Sequence, residues 1–241
     1  MREHGKLGRL PGRMPTGLRT LDYYAAGPLP RPPAELEVPT VAHWGMLGNT
    51  SKGNCGVAGC EHVFMADAAV SGKKETFPDA QECVGYYLQY TGGQDAGVQL
   101  ATFLLYVRKN GYYGHRVEAF APVHVNDLQT LRFATFAYGA IYLGIVVTTA
   151  MQNTFREQGV WQVATLESTV LGGHCVVGVG YDDVGIDVVT WGGIQKLTYA
   201  AWAEMSRYGD TEAFALLTGE LDNGDGRNIN YATLQRDLNR L

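Results

Sequence analysis

The chain has 241 residues, of which 46% are hydrophobic and 18% charged, with 31 glycines, nine prolines and four cysteines. This composition excludes a disordered or fibrous chain, and a core of this size needs no disulfide or metal for stability. The net charge is −5, but the first twenty residues carry five basic side chains against one acidic one, so the remainder carries about −9. An acidic body with a short basic tail disfavours nucleic acid as a partner. We expect the tail to be solvated or to dock on a partner subunit.

The cysteines are irregularly spaced, and no hydrophobic signal segment precedes them. A disulfide framework is therefore not expected, and the sequence predicts a protein without a signal peptide that stays in a reducing cytosol or leaves it by another route. The longest apolar stretch, residues 139–150, is too short to span a bilayer, so no membrane association is expected.

The predicted elements place helices first and strands second along the chain. Prolines keep residues 1–43 extended as a proline-rich arm, since they fix φ and remove hydrogen-bond donors. Hydrophobic spacing then predicts helices over 55–70, 79–90, 94–109, 125–138 and 198–208, and strands over 115–120, 140–149, 172–181, 186–191 and 212–218. Residues 44–219 form the predicted domain and 220–241 a polar appendage. This order favours an α+β fold with a helical layer on an antiparallel sheet.

Cys55 begins the first long predicted helix, and glycines stand on both sides of it at positions 53 and 56. The unpaired amides at a helix start favour an anion and lower the pKa of a cysteine toward the nucleophilic thiolate. Asn49 lies six residues upstream, where its side-chain amide could join the Cys55 amide in an oxyanion hole. A buried structural cysteine behind a flexible loop is the alternative interpretation of this segment.

His174 follows two glycines and opens an apolar strand in the opposite half of the chain. A histidine at this place is typical of a general base that projects from a sheet into a cleft, although a satisfied polar residue is the simpler alternative. Together, Cys55 and His174 match the arrangement of cysteine hydrolases, whose nucleophile and base are neighbours in space and not in sequence.

Three motifs resemble those of papain-like cysteine peptidases: Asn49-x5-Cys55-Gly-Val-Ala, then Gly-His174-Cys-Val-Val-Gly-Val-Gly-Tyr, then Thr190-Trp-Gly. The chain is also similar over residues 6–218 to papain-fold proteins of actinobacteria and their phages, with a shared Trp44-x-Met-Leu-Gly-Asn49 run. The resemblance implies Cys55 as nucleophile, His174 as base and then acid, and Asn49 as oxyanion donor. It also implies a protein or peptide substrate, for which a peptidoglycan stem peptide is one candidate, and it allows a virion location.

Two departures from the family pattern affect the predicted site. Asn49 stands where papain-like enzymes have a glutamine, which shortens its reach by one methylene. The asparagine that orients the histidine is absent, and Thr190 occupies the position before Trp191. A hydroxyl orients an imidazole less firmly than an amide does. Thr190 is the predicted third member, with Asp187 on the same predicted strand as the substitute.

Other candidate sites compete with this prediction. Asn54-x5-Cys60 repeats the six-residue spacing, but Glu61 next to Cys60 would raise its thiol pKa. His62 lies two turns along the helix from Cys55 and is predicted to be a packing or capping residue.

A zinc site built from Cys55, Cys60, His62, His174 and Cys175 fits no common spacing. The calcium-like run 222–226 lacks the later bidentate glutamate. No metal or cofactor is therefore predicted.

The sequence predicts a cysteine peptidase or amidase that uses a Cys–His dyad or triad. The alternative is a weakly active or inactive papain-fold adaptor, for instance a phage virion component, and the missing triad asparagine and the proline-rich arm favour it. The arm is also a candidate for docking on a protein partner.

Overall fold

A computed structural model describes residues 1–207, 209, 211–221 and 228–241. Its helices are α1 Cys55–Val70, α2 Ala80–Tyr90, α3 Leu100–Asn110, α4 Leu128–Ala137, α5 Thr149–Arg156, α6 Val163–Leu166, α7 Tyr199–Arg207 and α8 Tyr231–Leu238, with a short 3₁₀ helix at Leu21–Tyr24. Its strands are β1 Val117–Pro122, β2 Ile141–Thr148, β3 Val170–Tyr181, β4 Gly185–Thr190, β5 Gly193–Thr198 and β6 Glu212–Thr218. The predicted α+β class is confirmed.

Within the described residues the strands form one six-stranded sheet in the order β1-β6-β2-β3-β4-β5, and every neighbouring pair is antiparallel. The predicted hairpin is present as β3 and β4, and its turn is closed by Asp182, whose carboxylate accepts the N–H groups of Val184 and Gly185. β2 and β3 lie in the centre of the sheet. β2 and residues 175–181 of β3 consist almost entirely of apolar residues and glycine, because both of their faces are covered.

Helix α1 packs on the centre of the sheet and has its predicted bounds. It is buried almost all round, which is why its apolar residues do not form a single stripe. The Tyr142 hydroxyl in β2 donates to the Gly56 carbonyl at 2.7 Å, and Gly59 lies against Cys175 of β3. A side chain at Gly59 would crowd the Cys175 sulfur, so this glycine lets the start of α1 approach the strand that carries His174.

Helix α3 begins at Leu100, six residues after its predicted start. Gly97 has φ +75°, and Val98 makes main-chain hydrogen bonds with the N-terminal segment, so residues 94–99 are a loop. The strand β5 and the short helices α5, α6 and α8 were not predicted from the sequence. α5 has only eight residues, α6 only four and β5 only six, and periodicity is a weak signal at such lengths.

The C-terminal residues pack on the domain and do not extend away from it. α8 buries Leu234 and Leu238 beside β1, and Arg108 of α3 donates to the Asn239 side chain at 2.7 Å. The calcium-like run 222–226 lies outside the described residues. Among the helices that the structure describes, none is both long and apolar enough to cross a membrane.

Residues 5–10 lie in a cleft that has residues 53–55 and 95–98 on one side and β3 on the other, and we call them the cleft segment. Arg9 bridges Val98 on one wall and Gly173 on the other. The segment is extended, as predicted, but the expectation of a solvated or partner-bound tail does not hold for it, since Arg9 is only 6% exposed. The basic charge of the first twenty residues suggested exposure to solvent. In the structure, however, the buried carboxylate of Glu212 in β6 pairs with Arg9.

Candidate active site

The four residues predicted for the site border one small cavity between the start of α1 and the β3–β4 hairpin. The cavity has a volume of about 10 Å³ and touches Asn49, Cys55, His174 and Thr190, which is close to the space that one water molecule needs. The loop before α1 supplies Asn49, the first residue of α1 is Cys55, and the two strands supply His174 and Thr190. Residues from both halves of the chain therefore meet here.

His174 is held on one side by Thr190, whose Oγ1 lies 2.9 Å from Nε2. The Trp191 ring stacks on the imidazole with centroids 4.7 Å apart and planes 28° apart. Trp191 itself has φ +46°, a left-handed conformation that is uncommon for a bulky side chain and that the surrounding packing must stabilise. When Nε2 carries the proton, its N–H donates a hydrogen bond to Oγ1 of Thr190, and Nδ1 is left as an unprotonated base.

The Nδ1 atom of His174 is buried and has no hydrogen-bond partner among the described residues. Burial, with a smaller contribution from His62, lowers the pKa of His174 to about 3. In this closed arrangement the imidazole is therefore neutral at physiological pH. It does not hydrogen-bond the Cys55 thiol, although both residues border the same cavity.

Cys55 has a raised pKa in this arrangement, which differs from the lowered value that its helix-start position suggests. Burial raises the pKa to about 11, and it outweighs the backbone N–H groups of Cys175, Gly8 and Gly56, which favour the thiolate. One of these donors, Gly8, belongs to the cleft segment, and the positive charge of Arg9 in the same segment also favours the thiolate. Burial thus keeps the pair as thiol and neutral imidazole.

Asn49 is 3% exposed, and its Nδ2 donates to the carbonyl of Lys6 at 3.0 Å and to that of Lys52 at 2.9 Å. The Lys6 N–H donates in return to the Asn49 carbonyl at 2.8 Å. The side-chain amide that the sequence predicts as an oxyanion donor thus already binds a peptide carbonyl, and that carbonyl comes from the cleft segment.

The competing residues lie elsewhere or have other partners. Cys60 is fully buried beside Glu61, and burial and that carboxylate raise the pKa of its thiol. His62 donates through Nε2 to the Trp44 carbonyl at 2.8 Å, a packing role as predicted, and burial lowers its pKa to about 4. Asp187 pairs with Lys196 at 2.9 Å and not with His174.

The zinc alternative has four of its five residues around the cavity, all except Cys60. Among the described residues, however, no three histidine, cysteine or acidic side chains converge closely enough to hold a metal ion.

Two residues that lie in the cleft were not predicted from the sequence. Arg9 and Glu212 form a buried ion pair 2.8 Å long in which the side chains are 3% and 9% exposed. They are 203 positions apart, so spacing carried no signal. The only sequence hint at Glu212 was an acidic residue at the start of an apolar strand.

No protein-family model and no curated protein sequence matches the chain. Among solved structures, the chain is similar to the crystal structure of xylellain, a cysteine protease from Xylella fastidiosa, with a TM-score of 0.66 and 12% sequence identity. The match covers 90% of this chain and 97% of the xylellain chain. With the helix start and the β3–β4 hairpin meeting at one cavity, this likeness shows that the chain has a papain-like α+β fold.

Proposed function

We propose that the protein is a cysteine peptidase or amidase in which Cys55 is the nucleophile and His174 the general base. The observation that supports this most is that His174, held by Thr190 through Nε2, leaves its unpartnered Nδ1 at the same cavity as Cys55. A buried base with a free nitrogen next to a thiol at a helix start is the arrangement that nucleophilic catalysis needs. The papain-like fold of xylellain agrees with this assignment.

The proposed reaction has two steps, acylation of Cys55 and hydrolysis of the resulting thioester. Nδ1 of His174 takes the thiol proton, and the sulfur of Cys55 attacks the amide carbonyl carbon to form a C–S bond. Asn49 and the Cys55 amide donate to the carbonyl oxygen as it gains charge. The imidazolium returns its proton to the leaving nitrogen as the C–N bond breaks. Water, deprotonated by His174, then hydrolyses the thioester and regenerates the thiol.

An extended peptide is the substrate class that the cleft favours. The cleft segment hydrogen-bonds to both walls through its main chain, so an extended peptide can use the same contacts. The segment must leave before a substrate enters. Proteins and peptidoglycan stem peptides both contain amide bonds that fit this description, and the displaced arm is free to contact a protein partner.

Thiol labelling tests the assignment of the nucleophile. The full chain carrying Arg9→Ala, a change that is expected to displace the cleft segment, is treated with iodoacetamide, and mass spectrometry follows each cysteine over time. We expect Cys55 to react at least about tenfold faster than Cys83, because thiolate character and access both control the rate. Replacement of His174 by alanine should remove this advantage. If Cys55 reacts no faster than Cys83, the assignment is wrong.

Thr190 offers a second test, because it positions the base without touching the substrate. Thr190→Val should lower kcat/KM by about tenfold, as loss of an orienting partner commonly does. Without the hydroxyl acceptor the imidazolium is less stable, so the limb of the pH–rate profile that reports His174 should move to lower pH. Thr190→Asn, which restores an amide oxygen, should retain activity. An unchanged pH profile in Thr190→Val would show that the threonine only packs.

The adaptor role is the second candidate function, and the filled cleft favours it. In the closed arrangement the thiol and the imidazole are both neutral, and an inactive protein would have the same protonation states. A chain that shows no hydrolysis, and no fast Cys55 labelling even after the cleft segment is displaced, would be such an adaptor.

A further inference from the structure

The cleft segment is bound as an extended peptide would be. The Arg9 N–H donates to the Gly173 carbonyl at 3.1 Å, the Val98 N–H donates to the Gly8 carbonyl at 2.8 Å, and the Leu10 N–H donates to the Val98 carbonyl at 2.9 Å. These are main-chain contacts that do not depend on the side chains of the segment. Specificity must therefore come from the pockets that receive its side chains.

One side chain of the segment enters such a pocket. Nε of Arg9 donates to the Glu212 carboxylate at 2.8 Å, and Nη1 donates to the Ile145 carbonyl at 3.3 Å. Gly144 forms the wall beside the guanidinium, and a Cβ at this position would lie 2.5 Å from Nε. The pocket thus offers two acceptors and the space for one planar cation.

The chemistry of this pocket suits arginine. Glu212 is the first residue of β6 and lies opposite Gly144 in the sheet, in a place where solvent hardly reaches. A buried carboxylate is stable only when a cation or hydrogen-bond donors satisfy it. Guanidinium supplies several donors in a rigid plane and stays charged, whereas citrulline has the same shape without the charge.

The pocket is also next to the proposed chemistry. Gly173, which binds the Arg9 main chain, precedes His174 directly, and the N–H of Gly8 lies at the sulfur of Cys55. The segment therefore presents an amide N–H to the sulfur and not a carbonyl carbon, an arrangement that does not lead to its own cleavage.

We propose that the Glu212 pocket is a specificity pocket that selects an arginine side chain in the peptide substrate, and that Arg9 is its intramolecular occupant. This inference rests on the proposed function, since it names the substrate class of the same cleft.

A binding assay tests the pocket without catalysis. The full chain carrying Cys55→Ala and Arg9→Ala is titrated into a fluorescein-labelled peptide with the sequence of residues 4–11, and anisotropy gives Kd. We expect the citrulline analogue of the peptide to bind about ten- to a hundredfold more weakly, as the loss of a charge-assisted hydrogen bond predicts. Adding Glu212→Gln should abolish this difference. The exposed Arg13→Ala serves as the matched control in place of Arg9→Ala, and it should bind the peptide more weakly because Arg9 still fills the pocket.

Equal binding of the arginine and citrulline peptides, persistence of the difference in Glu212→Gln, or no binding to the Arg9→Ala chain would overturn the proposal. If Arg9→Ala does not fold, Arg9→Gln replaces it, because its amide can still donate to Glu212 and it lacks the charge. Failure of the proposed function is seen separately: arginine-selective binding would persist while Cys55→Ala leaves hydrolysis unchanged.

Discussion

Cys55→Ala is expected to lower the rate of peptide hydrolysis by a factor on the order of a thousand or more, because no other group can form the thioester. The assay is release of fluorescence from a labelled, denatured protein, which presents many extended sequences. His174→Ala should cost a similar factor. The double variant should be no worse than either single one, since nucleophile and base act as a unit.

Cys60→Ala is the matched control for this prediction. It removes a buried thiol from the same helix, five residues further on, and should leave hydrolysis unchanged in folded protein. Thermal unfolding of each variant separates loss of activity from loss of structure. Hydrolysis that survives Cys55→Ala, or that disappears in a folded Cys60→Ala chain, would contradict the assignment.

Arg9→Ala is expected to accelerate alkylation of Cys55 strongly. The buried thiol has a pKa of about 11, so at neutral pH very little of it is thiolate. Once the cleft segment leaves, solvent reaches the sulfur. The loss of burial should outweigh the loss of the Gly8 N–H and of the Arg9 charge, which both lower the pKa, so the pKa of Cys55 should fall toward an ordinary cysteine value. A fall of about two pH units increases the thiolate fraction at pH 7 by about a hundredfold. Greater access to the reagent increases the rate further.

The measurement is the rate of Cys55 alkylation as a function of pH. In the unchanged chain the rate should still be rising above pH 10, whereas in Arg9→Ala it should level off near pH 9 or lower. Arg9→Ala leaves Glu212 buried without its cation, which is destabilising. The double variant Arg9→Ala/Glu212→Gln removes both charges and should show the same acceleration. Rates that match those of Arg13→Ala would show that the segment does not control access.

The parts of the site that could be predicted depend on local sequence. The start of α1 at Cys55 follows from the polar, glycine-containing run before it, and the β3–β4 hairpin follows from apolar strands around a turn. Once the hairpin is known, antiparallel pairing brings Thr190 toward the strand that carries His174. Asp187 stands three residues from Thr190, and side chains alternate along a strand, so the two point to opposite faces.

The rest depends on contacts between distant segments. No local pattern links Arg9 to Glu212. A basic tail that is buried has the same composition as one that is exposed to solvent, so composition could not distinguish the two. The pKa of Cys55 depends on tertiary contacts too, because burial in the fold raises it and the backbone N–H groups of Gly8 and Cys175, both distant in sequence, lower it. A helix start by itself indicates a lowered pKa, and only the tertiary structure reverses that direction.

The cleft segment belongs to the chain whose cleft it fills, and Leu18 and Leu21, both buried in the core, hold the arm soon after it. The tether is therefore short, and a short tether gives its ligand a millimolar effective concentration. Occupancy of the cleft is then the same at every protein concentration, and dilution does not open it. A free peptide competes against this constant local concentration, so its apparent Kd is raised by one fixed factor, which shortening or lengthening residues 11–17 would change.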